Sequence, residues 1–276
     1  MGEQVPFRRA GLERSLTTRV VGRHIVWFEA VDSTNTVLRA LASQGAPDGT
    51  VAVAEYQTAG RGREDRHWWA PPRTCLLLSI LFRPSFPLPT IQTHQLTMLC
   101  SLAACDAVTA HTGLVPALKW PNDLLLGGKK LGGVLTESAF VGGRLEHAVV
   151  GMGLNVNVRF DVRLWDPDAQ GLTSLQGQAT SLLLHLGQPV DRTLLLQTLL
   201  ERADFRYSRL QEGERFHEEW SRRLATLGQR VRVETGTERL EGVAEGVDVN
   251  GSLLLRLAEG SLRRILAGDV TQLRPL

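Results

Sequence analysis

Lys119, Lys129 and Lys130 fall within twelve consecutive positions and are the chain's three lysines, leaving 28 of its 31 basic residues as arginine. An ammonium on a flexible stem is a compact point charge that settles against a carboxylate or a phosphate. A guanidinium is a planar fork suited to bidentate contacts. The segment reads Lys119-Trp120-Pro121-Asn122-Asp123, then Leu124 to Gly128, then Lys129-Lys130-Leu131-Gly132-Gly133. Three surface lysines spared by chance is the competing explanation. Their clustering beside Trp, Asn, Asp and paired glycines favours a strand pair in an active site.

A second segment, Gly60-Arg61-Gly62-Arg63-Glu64-Asp65-Arg66-His67-Trp68-Trp69, joins glycine N–H groups to three arginines, a set suited to several phosphate oxygens at once. The tryptophans could stack on a heterocycle, cover a site or lie in the core. Gly60-x-Gly62 is a broken dinucleotide fingerprint: the third glycine is missing, and Pro71-Pro72 prevent the helix that must follow. Neither lysine segment makes a Walker A loop. A third segment, Gly151-Met152-Gly153-Leu154-Asn155-Val156-Asn157, reads as a strand with glycines and asparagines on one face. Glycine within a strand marks a bulge or a close approach to the backbone. The seven histidines show no metal-ligand spacing, and no Ser–His–Asp set is evident.

The elements that must carry these segments follow from periodicity. Ile25–Phe28, Thr50–Tyr56 and Thr74–Phe82 read as strands. Asp32-Ser33-Thr34 offers caps to a helix with an apolar stripe at Val37, Leu38 and Leu41, closed by Gly45. A helix is expected over Ile91–His111, capped near Thr90. Leu118–Trp120, Leu124–Leu126, Leu131–Phe140 and Leu145–Gly151, separated by Gly127-Gly128 and Gly142-Gly143, form an antiparallel meander. Helices return at Asp191–Leu210 and Glu214–Leu227. Beyond Leu227-Gly228 short alternating segments (Arg230–Glu234, Leu253–Leu257, Leu262–Leu266) and an Asn250-Gly251 turn indicate a small β-barrel.

Composition sets the frame. Apolar residues make up 43% and charged residues 22%, ordinary for a soluble globular protein. A net charge of +2 implies no general attraction to nucleic acid. Cys75, Cys100 and Cys105 form no C-x-x-C pair and read as buried thiols in a reducing compartment. The polar N-terminus lacks a signal core, and no apolar run is long enough to span a membrane, so a cytoplasmic location is expected.

Together these segments resemble the signature blocks of biotin–protein ligases. The resemblance rests on Gly60-Arg61-Gly62-Arg63 with Trp68, Lys119-Trp120-Pro121-Asn122-Asp123 with Lys130, and Gly151 to Asn157. Asp32-Ser33-Thr34-Asn35 and Ala179-Thr180-Ser181-Leu182 followed by Gly187 add to it, in the family's order and spacing, from about Ile25 to the end. It implies an α+β fold: a mixed, largely antiparallel sheet with helices, like class II aminoacyl-tRNA synthetases, plus a C-terminal SH3-like β-barrel. The expected division is a lead over 1–24, a catalytic domain over 25–227 and the barrel over 228–276.

The activity implied is activation of biotin by ATP with Mg²⁺ to biotinyl-5′-AMP, then transfer to one lysine of a biotin carboxyl carrier protein. Carried over by position, Ser33, Thr34, Asn35 and Gln57 contact the biotin rings. Gly60, Arg61, Gly62 and Arg63 wrap the carboxyl and the phosphate. Trp68 and Asn155 face the adenylate, with Asn122 and Asp123 near its phosphate or metal. Lys130 holds carboxyl or phosphoryl oxygens, and Gly133, Gly151 and Gly153 let the backbone approach the ligand. Lys130, Arg63 and Asp123 are the implied catalytic set, and metal ligands are not assigned. Two positions depart from the family's pattern: Asp65, where the family often has glycine, and Ala70-Pro71, where it often has serine-proline. The acidic pair Glu64-Asp65 bears on the loop's conformation and leaves the arginine pattern intact.

Some members also repress transcription through an N-terminal winged helix. That module takes about 60 residues, whereas 32 precede Ser33, so DNA binding is not expected. A lipoate or octanoyl ligase or transferase on a related fold is the enzymatic alternative, and stacking on RNA through the arginine loop is the non-enzymatic one. A monomer or a homodimer is expected.

Overall fold

The computed structural model describes residues 6–64, 66–86, 88–89, 92–160, 177–236 and 238–273. Asp65 and the Thr90–Ile91 start expected for the long helix lie outside the described residues. Chain order is α1 (Arg9–Ser15), β1 (Ile25–Phe28), α2 (Thr34–Ser43), β2 (Val51–Ala54), β3 (Cys75–Phe82) and α3 (His94–Thr112). Next come β4 (Ala117–Lys119), β5 (Asp123–Leu126), β6 (Lys129–Val141), β7 (Arg144–Asn155), α4 (Leu182–Leu186), α5 (Arg192–Gln211) and α6 (His217–Arg222). β8 (Arg230–Glu234), β9 (Arg239–Val247), β10 (Leu253–Leu257), β11 (Leu262–Ile265) and β12 (Asp269–Gln272) complete it.

A seven-stranded sheet has the order β1-β2-β3-β7-β6-β5-β4. β1 runs parallel to β2 and every other pair is antiparallel, so the sheet is mixed and largely antiparallel. β3 lies near its centre and reads Cys-Leu-Leu-Leu-Ser-Ile-Leu-Phe with every residue buried. A continuous apolar run of this kind requires cover on both faces. Leu38 and Ala42 of α2 pack with Leu81 and Val149 on one face, while Leu76, Leu78, Ile80 and Phe82 join α3 and α5 in the main core on the other.

The helix expected over Glu214–Leu227 is shorter, at His217–Arg222. Tertiary pairing takes the rest: Leu118 N–H donates to Arg223 O at 2.7 Å and Ala225 N–H to Leu118 O at 2.8 Å, joining this segment to β4. The C-terminal unit is a five-stranded antiparallel sheet, β11-β10-β9-β8-β12. Its Gly251 turn, at φ +84, docks on the main sheet, because the fully buried Trp120 donates its indole N–H to Gly251 O at 2.9 Å. The cysteines are free and buried.

Candidate active site

Four motif residues, one from each of β4, β5, β6 and β7, form one row across the sheet. Lys119 pairs with Asp123, Asp123 with Gly133, and Gly133 with Gly153. Directly paired residues project to the same face, so a cation, a carboxylate and two bare backbone positions stand side by side. Gly151 lies two residues along β7, between Leu135 and Ser79.

Lys130 joins this face through a β-bulge. An unbroken β6 would send Lys130 and Gly133 to opposite faces, since side chains alternate with a period of two. The register shifts so that Leu124 opposes Gly132 while Leu125 opposes Lys130, leaving Leu131 as the extra residue. Bulges re-aim side chains in this way beside active sites. Lys130 Nζ thereby reaches Asp123 Oδ1 at 2.7 Å, with the Trp68 ring 5.9 Å away. Its backbone is clamped as well: Lys130 N–H donates to Gln178 O and Thr180 N–H to Lys130 O, each at 2.8 Å. Partial burial holds the Lys119 ammonium below its ordinary value of 10.5, while Asp123 opposes that shift and the positive charges of Lys130 and Arg66 add to it.

The second wall is built on α2. Ser33, Thr34 and Asn35 are each about 3% exposed. Thr34 N–H donates to Gln57 Oε1 at 2.7 Å. Ser79 Oγ lies 2.7 Å from Thr34 Oγ1 and 2.6 Å from Asn35 Oδ1. Asn35 Nδ2 donates to Glu137 Oε2 at 2.7 Å. Glu137 also faces Arg61 at 3.0 Å and Arg39 at 3.3 Å.

The glycine–arginine loop closes on itself. Arg61 bridges His67, Gly62 N–H donates to Arg66 O at 2.6 Å, and Trp68 N–H donates to Gly60 O at 2.9 Å. Gly60 has no room for a side chain, since a Cβ there would lie 2.5 Å from Trp68 O. Arg63 reaches the C-terminal sheet, donating to Gly268 O at 3.1 Å and facing Asp269 at 3.7 Å, and Arg66 also pairs with Asp269. Burial lowers the Arg63 guanidinium from its usual value, partly offset by Glu64. Trp68 lies over Gly153, where an added Cβ would come within 2.5 Å of its ring, and its buried indole N–H has no partner among the described residues.

The residues singled out by sequence therefore fall into two adjoining groups. Ser33, Thr34, Asn35, Gln57 and Gly151 make the α2 wall, and Lys119, Asp123, Lys130, Gly133, Gly153 and Trp68 make the charged row. Arg61 sits between them through Glu137. Lys129 is exposed at the turn, opposite Leu126. Two asparagines are engaged by the protein itself. Asn122 Nδ2 donates to Val134 O at 2.8 Å. Asn155, 5% exposed, donates to Thr180 O at 3.0 Å and so steadies the segment that clamps Lys130. Sequence reasoning missed Ser79, Glu137, Gly268 and Asp269. Glu137 had a signal, since it follows Gly133 and Leu135 at the strand period. Asp269 had none, because its link to the loop spans about 200 residues.

The arrangement can gather anions beside a narrow polar wall. The profile of the Biotin/lipoate A/B protein ligase family matches residues 27–155, and that of the Biotin protein ligase C terminal domain matches 226–271. The chain is 35% identical over 274 residues to Biotin--[acetyl-CoA-carboxylase] ligase of Mycobacterium tuberculosis, covering 95% of this chain and 96% of that one. It is 34% identical over 257 residues to Bifunctional ligase/repressor BirA of Bacillus spizizenii, covering 92% of this chain and 76% of that one. A solved structure, biotin protein ligase from Aquifex aeolicus in complex with biotin and ATP, superposes with a TM-score of 0.74 at 28% identity, covering 92% of this chain and all of that one. The chain belongs to the biotin protein ligase family.

Proposed function

We propose that this protein joins biotin to ATP as biotinyl-5′-AMP and then transfers biotin to one lysine of a biotin carboxyl carrier protein. The observation that carries the reading is Lys130 held 2.7 Å from Asp123, in one row with Gly133 and Gly153 and beside the Asn35 wall. In the first step a biotin carboxylate oxygen forms a bond to the α-phosphorus, and the bond to pyrophosphate breaks with its electron pair. Two anions must meet, so fixed positive charge lowers the barrier more than any nucleophile could. Lys130, Arg61 and Arg63 supply that charge, with Lys119 behind them. In the second step a neutral lysine amine of the carrier attacks the acyl carbon, AMP leaves, and the amine loses its extra proton to solvent. Excluding water before that step preserves the anhydride, which suits the loop tied across the site.

By this reading Ser33, Thr34, Asn35 and Gln57 receive the biotin rings, and Gly60, Arg61, Gly62 and Arg63 enclose the carboxylate and phosphate. Gly133, Gly151 and Gly153 keep the sheet face low. Trp68, whose indole N–H is unpartnered among the described residues, meets the nucleotide. Asn122 and Asp123 lie on the phosphate side, and Asn155 supports Lys130 from behind. Mg²⁺ fits this set. No cluster of three His, Cys, Asp or Glu stands among the described residues, but Mg²⁺ binds through one or two carboxylates plus substrate phosphates and water. Asp123 and Asn122 would hold it, and it would offset charge on the phosphates.

The likeness to synthetases, the SH3-like character of the second sheet, the 1–24, 25–227 and 228–276 division, and a cytoplasmic site of action belong to the same reading. Among the described residues no helix is long and apolar enough to cross a membrane.

The test is incubation of the protein with labelled biotin, ATP, Mg²⁺ and a carrier domain. A mass gain of one biotin on the carrier, with ATP-dependent pyrophosphate release, is expected. Labelling by lipoate or octanoate in place of biotin would move the assignment to the other branch of the matched family.

A further inference from the structure

Glu137 lies outside the motif blocks, yet it is the acceptor on which both halves of the site converge. It takes Asn35 Nδ2 at 2.7 Å and faces Arg61 at 3.0 Å. Its neighbours on the same strand face are Leu135, opposite Gly151, and Gly133, opposite Gly153. Four polar residues behind it form a contiguous chain: Asn35, Ser79, Thr34 and Gln57.

The orientation of Asn35 and Ser79 follows from Glu137, with Leu135 O at 3.5 Å a second, longer acceptor for Asn35 Nδ2. An ionised carboxylate accepts hydrogen bonds and donates none. Asn35 must therefore turn its NH₂ group to Glu137 and its Oδ1 to Ser79. A serine hydroxyl carries a single proton. With a carbonyl oxygen 2.6 Å away, Ser79 must spend that proton on Asn35, or two acceptor oxygens would face each other in a buried site. Ser79 then keeps no proton for Thr34 Oγ1, 2.7 Å away, and the Thr34 hydroxyl has two acceptors within reach, Ser79 Oγ and Gln57 Oε1 at 3.1 Å. Were Asn35 flipped, its NH₂ group would face Ser79, and Ser79 would turn its proton to Thr34 instead.

We propose that Glu137 is a positioning residue that fixes this pattern for recognition of the biotin rings, while holding Arg61 against the α2 wall. The inference rests on the assignment of that wall to biotin. It predicts a larger effect on biotin than on ATP, which Glu137 reaches through Arg61 alone, and a specific rescue. In Glu137→Gln the side chain has one acceptor for two donors, Asn35 and Arg61, and its amide end faces a donor. Asn35→Asp places two carboxylates at hydrogen-bond distance. In the reciprocal double variant, Asn35→Asp with Glu137→Gln, the amide introduced at position 137 donates to the new carboxylate and accepts from Arg61, and Ser79 again donates to position 35. The pair's charge and the chain's direction are both restored.

The experiment measures KM for biotin and for ATP by pyrophosphate release, with thermal unfolding to verify folding. Wild type first has to form the adenylate from labelled biotin; failure there sinks the functional assignment and leaves the direction of the chain to be read from the neutron or NMR protonation pattern. Glu137→Gln is expected to raise KM for biotin about tenfold, as for loss of a charged hydrogen bond, and KM for ATP by less, since ATP is reached through Arg61 alone. The double variant should lie closer to wild type than Asn35→Asp does. Equal KM for biotin in wild type and Glu137→Gln would overturn the proposal. So would a double variant no better than Asn35→Asp, since a fixed hydrogen-bond direction would then not be what Glu137 supplies. Should Glu137→Gln fail to fold, the comparison of Asn35→Asp with the double variant still decides.

Discussion

Asn35 occupies the space in which any residue but glycine at position 151 would carry its side chain. A Cβ added at Gly151 would lie 2.1 Å from Asn35 Oδ1, a separation that forces either the amide or the strand to move. The glycine thus serves the close approach of another side chain of the wall as well as the low face beneath a ligand. Gly151→Ala is expected to destabilise the protein by about 1–3 kcal/mol, the usual cost of overpacking, and to weaken biotin binding by displacing Asn35. Thermal unfolding and calorimetric titration with biotin check both; unchanged affinity would mean that Asn35 does not shape the biotin site.

Lys130→Ala should leave the fold intact and remove adenylate formation. The Lys130 side chain is 38% exposed, so its pair with Asp123 adds little to stability. As fixed charge at the reacting centre, the same ammonium is worth about 10²–10³ in rate. Pyrophosphate release near the wild-type rate, with unfolding unchanged, would remove Lys130 from the catalytic set.

Arg63→Gly should let the adenylate escape and raise biotinylation of bystander proteins. Arg63 and Arg66 tie the loop to Gly268 and Asp269 of the C-terminal sheet, so Asp269→Ala should act in the same direction. Both variants can be compared by labelling an unrelated lysine-rich protein beside the carrier. If only Arg63→Gly labels the bystander, retention depends on the arginine's contact with ligand and not on the tether.

Lys119 gives the alkaline behaviour its sign. Burial lowers its folded-state pKa below the ordinary 10.5. Between that lowered value and 10.5 the unfolded chain keeps a proton that the folded chain has lost, so the Lys119 contribution to stability rises with pH. Across the same interval the site loses a positive charge, and kcat/KM for ATP should fall. Lys119→Arg keeps the charge and should carry the alkaline limb to higher pH. An unmoved limb would place the titration elsewhere.

The three thiols should be inert in the folded protein. Burial pushes Cys75 and Cys105 up to about 12 and raises Cys100 further, and the thiolate is the reactive form. Native protein should show negligible reaction with a thiol reagent, rising to three equivalents in denaturant. Fast labelling of the native protein would contradict the burial described.

Much of the site was legible because its signals are local. The glycine pairs mark turns, the alternation around Leu124–Leu126 and Leu145–Gly151 marks strands, and the Asp32-Ser33-Thr34 cap starts α2 one residue after Ser33. Clustering of cations, glycines and carboxylate within single segments drew attention to Lys130, Asp123 and the arginine loop, and the family resemblance followed from those blocks. Local signals failed where a partner from afar took over. The segment expected to be helical through Leu227 is cut short by its pairing with Leu118.

By itself the sequence determined which residue types were available and which short stretches would be strand, helix or turn, since these depend on neighbours a few positions apart. Only the tertiary structure decided how those stretches register. The bulge at Leu131 puts Lys130 on the same face as Asp123, and the pairing of β6 with β7 brings Glu137 to Asn35 and Arg61. The docking of the second sheet brings Asp269 to Arg63 and Arg66. The contacts of Glu137 and of Asp269 join segments far apart in the chain, and the bulge is a matter of register that neighbouring residue types do not fix. A shift of one residue in such pairing sends a side chain to the other face of the sheet.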